Sequence, residues 1–222
     1  MCALSRRLPD GQLGAPALTT PMSPVAPVAE RDDWHRCFIA LVPDAATRET
    51  FAAMPLDVAV RRVPVDQLHL TLAFLGSVSP EKGALLTAAL PSVIVPLPAL
   101  NIERFEYWPN RSHPRLAVVS FAPSDALAEI ESRVRTLVAG LGLPIDDHRP
   151  FLPHVTLARL PRNAKPIATP AARSDGTADR RGETVAEPGS VSRFDTLTLY
   201  SSTLERRGAR YRALASARVP AD

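Results

Sequence analysis

The sequence predicts an α+β fold, with two lobes of antiparallel sheet plus helices related by a pseudo-twofold axis around a central cleft. Three observations carry that expectation. Runs that alternate polar and apolar residues, the period of a half-buried strand, are interleaved with runs whose apolar residues recur at helical spacing. The stretch His69-Leu70-Thr71-Leu72 returns as His154-Val155-Thr156-Leu157, each copy inside an alternating run. The chain has 222 residues, 45% of them hydrophobic, which suits one domain built as two similar halves.

Residues 1–33 are rich in Pro, Ala, Ser and Thr without a period, and read as a disordered tail. The domain is expected over 34–219. The apolar run 36–43 reads as a buried strand, and Asp44 as the N-cap of a helix to about Met54. The first motif strand is expected over 67–75, closed by Gly76. In it Gln67, His69 and Thr71 share one face, while Leu68, Leu70, Leu72 and Phe74 share the other. Ser79 followed by Pro80 starts a helix that Pro91 stops.

Strands at 100–107 and 116–121 flank a turn around Pro109-Asn110-Arg111-Ser112. Ser124 caps the clearest helix, with Leu127, Ile130, Val134, Leu137, Val138 and Leu141 as its apolar stripe. The second motif strand comes next, with His154 and Thr156 on one face and Val155 and Leu157 on the core side. Residues 161–192 turn polar and rich in Gly, Pro and Arg, and read as a flexible insertion. Two strand-like runs, 194–202 and 209–217, end the chain.

The net charge of +3 and a pI near 9.2 lean toward anionic ligands without the footprint of a dedicated nucleic-acid binder. Cys2 and Cys37 give no disulfide framework. No apolar run has the length of a signal peptide or a membrane span, so the expectation is a soluble, cytoplasmic protein.

The duplicated motif suits phosphate chemistry. Imidazole is the side chain whose free pKa lies nearest neutrality. A threonine hydroxyl donates to a phosphate oxygen without adding charge. Two facing His–Thr pairs supply an acid, a base and two oxygen-binding donors. The spacing is His-x-Thr and not His-x-His, and threonine is not a usual zinc ligand, so neither metal nor cofactor is expected. His35, His113 and His148 read as surface residues.

These residues resemble the two-histidine phosphoesterase superfamily, and within it the RNA 2′,3′-cyclic phosphodiesterases, also called the bacterial 2′-5′ RNA ligase (LigT-like) family. The resemblance rests on the run 36–43, on 68–76 around the first motif, on 149–159 around the second, and on Leu199, Ser202, Gly208 and Tyr211 near the end. It implies hydrolysis of 2′,3′-cyclic phosphate RNA ends to 2′-phosphomonoesters, with reversible 2′-5′ ligation as a companion reaction. It further implies His69 as proton donor and His154 as proton acceptor, Thr71 and Thr156 as substrate-binding residues, and a monomer. Arg159 is the arginine that resemblance places after the second motif, able to balance phosphate charge. Strict strand parity puts Arg159 on the face opposite His154, so it reaches the phosphate only if the strand bends or ends near Ala158. Phe151, Tyr107 and Trp108 are candidates for stacking on a base, with packing roles equally open. Two other readings stay open: a two-histidine enzyme for a small cyclic nucleotide or an ADP-ribose cyclic phosphate, and a non-catalytic RNA-binding module.

Overall fold

The buried alternating runs assemble into one antiparallel sheet. The computed structural model of the chain describes residues 34–56, 61–145, 150–167, 184–185, 190–205 and 208–221. The expected tail 1–33, Cys2, His148 and most of the stretch 168–189 lie outside the described residues.

Strand β1 (Cys37–Pro43) is apolar and almost wholly buried. Helix α1 (Ala45–Ala53) starts at Asp44, whose carboxylate accepts from the Thr47 amide at 2.8 Å. A two-residue strand β2 (Arg61–Arg62) and a 3₁₀ turn (Val65–Gln67) precede β3 (Leu70–Gly76). The first motif strand therefore begins later than the alternation suggests, and His69 sits just ahead of it. Helix α2 (Pro80–Ala89) has Ser79 as its cap and continues as a 3₁₀ turn through Pro91. Strands β4 (Leu100–Trp108) and β5 (Leu116–Phe121) form a hairpin. Helix α3 (Asp125–Gly140) buries Leu127, Ile130, Val134 and Val138, four of the six stripe positions. The remaining strands are β6 (His154–Arg159), β7 (Thr184–Val185), β8 (Val191–Ser192), β9 (Phe194–Glu205) and β10 (Gly208–Arg218).

The sheet runs β10-β9-β1-β3-β6-β5-β4-β7, with β2 added beside β6 and β8 beside β4. Two four-strand halves, each carrying one motif strand at its inner edge, meet where Leu70 of β3 faces Val155 of β6. This is the expected α+β arrangement of two halves around their junction. Where the sequence reads one long loop over 161–192, β7 and β8 pair with β4.

One face of the sheet carries Ile39, Leu41, Leu70, Val119, Val155 and Leu157, which pack with Phe51, Leu86 and the α3 stripe into the main core. The motif side chains lie on the other face. Cys37 is buried in the core, and burial pushes its thiol up to about 11, which makes it an inert apolar residue.

Candidate active site

The register at the junction places the four motif side chains. Leu70 and Val155 face each other, and both are fully buried. Continuing this antiparallel register one step either way sets His69 opposite Thr156 and Thr71 opposite His154. All four point away from the core because side chains alternate across a strand. Each imidazole thus faces the other motif's hydroxyl, and the two imidazoles lie on a diagonal. Directly opposed side chains have Cβ atoms about 5 Å apart and diagonal ones roughly 7–8 Å. That is a gap with room for one phosphate.

Both rings are oriented in the same way. His69 Nδ1 lies 2.7 Å from the Gln67 carbonyl oxygen, and His154 Nδ1 lies 2.7 Å from the Leu152 carbonyl oxygen. A carbonyl only accepts, so each Nδ1 carries the hydrogen and donates it. Each Nε2 is then left for proton exchange, with a lone pair when the ring is neutral and a proton when it is charged. The residue two places before each histidine turns its carbonyl to the ring, a consequence of the chain entering both strands alike.

The surroundings of the two rings differ. His69 packs against Phe38, with ring centroids 5.0 Å apart, and against the edge of Tyr211 at 5.1 Å. Burial lowers its pKa to about 4, the charges of Arg159 and His154 push the same way, and the Gln67 carbonyl opposes them. His154 lies 4.4 Å from the Trp108 ring. Its pKa is also lowered by burial, but the Leu152 carbonyl and the carboxylate of Glu106 pull it back up. Both rings are therefore held toward the neutral form until an anion arrives.

Arg159 reaches this face through a β-bulge. Val118 pairs with Thr156 and Ala117 with Ala158, so Leu157 is an extra residue in β6. Leu157 and Ala158 are both buried, the alternation shifts by one, and Arg159 emerges opposite Leu116 on the histidine side. The bend that strand parity demanded is this bulge.

The same event in β3 corrects a different expectation. Ala40 pairs with Thr71 and Ile39 with Ala73, which leaves Leu72 as the extra residue. Phe74 consequently stands opposite Phe38 and is 75% exposed, not in the core where simple alternation puts it. Two positions three residues after each motif threonine are thus structural counterparts, and one holds an aromatic ring while the other holds a guanidinium.

The cleft has two unlike ends. A cavity of about 430 Å³ beside His154 and Thr71 is lined by Phe74, Trp108, Phe151 and Leu152, with Glu131 and Arg135 on its wall. Phe74 and Leu152, both exposed, lie in the two stretches that carry the resemblance, but the sequence reading names neither as a site residue and expects Phe74 on the core face. Of the three stacking candidates, Trp108 and Phe151 line this cavity. Tyr107 is buried in a small cluster with Ala117, Ala158 and Ile167. A second cavity, about 280 Å³, lies on the Arg159 side. Among the described residues, no three His, Cys, Asp or Glu side chains gather where they could hold a metal ion. No helix among them is long and apolar enough to cross a membrane.

Comparison with known proteins points the same way as the geometry. Residues 42–118, which include the first motif, match a family model described as LigT like phosphoesterase. An RNA 2′,3′-cyclic phosphodiesterase of Geobacillus stearothermophilus is 33% identical over 111 residues, covering 49% of this chain and 35% of that protein. Another with this name, from Escherichia coli (strain K12), is 34% identical over 112 residues, covering 50% of this chain and 62% of that one. The chain therefore spans less than two thirds of either relative's length. The crystal structure of E. coli LigT complexed with 3′-AMP superposes with a TM-score of 0.59 at 27% identity, covering 84% of this chain and 98% of that one.

Proposed function

We propose that this chain, which is similar to the LigT-like phosphoesterases, is a metal-independent RNA 2′,3′-cyclic phosphodiesterase that leaves a 2′-phosphate. The observation that carries this reading is the register of the junction, which gathers two imidazoles and two hydroxyls into one diagonal square, with both Nε2 atoms left for proton exchange.

Hydrolysis of a cyclic phosphate needs a proton removed from the attacking water and a proton given to the departing 3′ oxygen. The diagonal supplies one imidazole on each side of phosphorus, and each role contributes typically ~10²–10⁴ in rate. Following the resemblance, His69 gives the proton and His154 takes it. In the unliganded site burial and Arg159 hold His69 neutral at pH 7. The negative phosphate is the charge that raises its pKa and lets it arrive protonated. Thr71 and Thr156 donate to the nonbridging oxygens, where negative charge accumulates in the transition state. Arg159, brought round by the bulge, adds a charge-assisted hydrogen bond. The donor set of two imidazole nitrogens and two neutral hydroxyls is not one that zinc selects. With a 5′-hydroxyl in place of water as the nucleophile, the same steps expel the 3′ oxygen and form a 2′-5′ phosphodiester, which is ligation.

The aromatic cavity beside His154 fits a base, since a flat ring stacks on aromatic side chains whatever its sequence. The solved 3′-AMP complex of E. coli LigT supports a nucleotide in a cleft of this fold. All five site residues come from one chain, which suits a monomer, and buried Cys37 suits a reducing, cytoplasmic setting.

The test is hydrolysis of an oligoribonucleotide ending in a 2′,3′-cyclic phosphate, in excess EDTA, with His69→Ala and His154→Ala alongside. Turnover to the 2′-phosphate, lost in both variants, is the expected result. Turnover to the 3′-phosphate reverses which oxygen leaves. RNA binding without turnover, unchanged in both variants, replaces the enzyme with a binding module.

A further inference from the structure

Beside the histidines the structure sets an arrangement of arginines of which the reaction above uses only Arg159. In β2, Arg61 stands directly opposite Arg159 of β6. Arg62, its neighbour, turns to the other side and donates to the Ala52 and Met54 carbonyls, at 3.1 and 2.6 Å. Arg61 thus shares the histidine face with Arg159. Like charges directly opposed across an antiparallel pair destabilise it. Among the described residues, neither Arg61 nor Arg159 forms an ion pair with a carboxylate.

A third guanidinium, Arg210 of β10, lines the same 280 Å³ cavity. Among the described residues the single carboxylate on its wall, Glu205, is 3.8 Å from Arg210. The cavity also touches Gln67 and Tyr211, which flank His69, so it opens beside the reacting centre and not at a remote surface.

The Arg61 guanidinium lies against the start of β10. An ideal Cβ on Gly208 would lie 2.6 Å from the Arg61 guanidinium, and Gly208 has φ +118. Glycine is what lets the guanidinium lie against the start of β10, and what the backbone there requires.

A self-repelling pair of arginines beside a phosphate-binding centre is relieved by an anion between them. We propose that Arg61, Arg159 and Arg210 form a second phosphate subsite, which takes the phosphate on the 5′ side of the reacting nucleoside. This rests on the cyclic phosphodiesterase reading and extends it. The substrate class becomes a nucleotide or RNA end with a 5′-side phosphate, in preference to a nucleoside 2′,3′-cyclic phosphate with a free 5′-hydroxyl.

The experiment compares three substrates: adenosine 2′,3′-cyclic phosphate, the same compound with a 5′-phosphate, and a dinucleotide ending in adenosine 2′,3′-cyclic phosphate. Both phosphate-bearing substrates should gain about tenfold or more in kcat/KM, mainly through KM, as expected for a hydrogen bond between charged groups. In Arg61→Ala and Arg210→Ala the ratio between the phosphate-bearing and phosphate-free substrates should fall toward one. A ratio near one in the unsubstituted protein overturns the subsite, and so does a ratio that both variants retain. A gain with the dinucleotide alone assigns the contact to the added nucleoside and likewise overturns it. Calorimetric binding of adenosine 2′-phosphate and adenosine 2′,5′-bisphosphate separates this inference from the reading beneath it. If no substrate is turned over while the bisphosphate still binds more tightly in an Arg61-dependent way, the subsite stands and the phosphodiesterase reading falls.

Discussion

Burial of His69 makes the fold sensitive to mild acid. Its pKa in the folded chain is about 4, against an ordinary value of 6.5. Between those values the unfolded chain binds a proton that the folded chain refuses, so stability rises with pH across the window. The contribution is complete above about pH 6.5 and is lost as pH falls toward 4. At 1.36 kcal/mol for each pKa unit, the full loss is about 3 kcal/mol. That is a large share of the 5–15 kcal/mol that typically holds a domain together. Urea unfolding of the unsubstituted protein and of His69→Asn at about pH 7, 5.5 and 4 measures it. The substituted side chain keeps a donor near the Gln67 carbonyl and does not titrate. From pH 7 to pH 4 the unsubstituted protein should lose about 3 kcal/mol more than His69→Asn, since His154 and the carboxylates titrate in both. Parallel curves would refute the argument, and with it the claim that the empty site holds His69 neutral. Phosphate should shrink the acid loss more in the unsubstituted protein than in His69→Asn, because an anion favours the charged His69 ring.

The site and the core lead to four further expected outcomes. His69→Ala and His154→Ala should each lower kcat/KM by ~10²–10⁴. A p-nitrophenyl phosphodiester, whose leaving group departs without a proton, should restore His69→Ala alone, and rescue of His154→Ala instead would exchange the two roles. Arg159→Ala removes a cation that pushes His69 down, so the limb of the pH–rate profile that reports His69 should move to higher pH, and an unmoved limb would place Arg159 away from the ring. Phe74→Ala should leave the melting temperature unchanged, since the ring is exposed, while raising KM for an RNA end about tenfold, the effect of one lost stacking partner. Gly83→Ala should cost about 1–3 kcal/mol with kcat/KM per folded molecule unchanged, because its Cβ would run into the buried Trp34 ring; an unshifted urea midpoint would contradict that contact.

Much of this architecture is legible in the sequence because its elements are locally consistent. Asp44, Ser79 and Ser124 each cap the helix directly after them, and the α3 stripe at helical spacing becomes the buried face. The motif histidines and threonines share a face because alternation holds from His69 to Thr71 and from His154 to Thr156. Arg61 is not legible in this way. It belongs to a strand of two residues without a periodic pattern, and only tertiary pairing sets it opposite Arg159. The pairing of β7 and β8 with β4 is hidden for the same reason: short edge strands in a polar stretch carry no local signal.

The two bulges explain where alternation fails and why the failure matters. Each motif strand gains one extra residue directly after its threonine, Leu72 in one half and Leu157 in the other. Both extra residues are leucines that stay in the core, so nothing in their chemistry announces the shift. A bulge bends its strand and re-aims the side chains beyond it. Here it re-aims Phe74 and Arg159 onto the histidine face at matching positions of the two halves. Had both positions held the same residue, the square of two histidines and two threonines would look alike from either half, and a nucleotide could bind in two opposite senses. Only one sense would put its leaving oxygen on the donor. An aromatic ring at one counterpart and a guanidinium at the other remove that ambiguity. On the proposed reading, the base goes to the Phe74 and Trp108 end, the additional negative charge to the Arg159 and Arg61 end, and the duplicated motif acquires a direction. In this reading the acid and base roles of two nearly identical motifs are distinguished by the residues three positions beyond their threonines, which fix how the substrate lies between the rings.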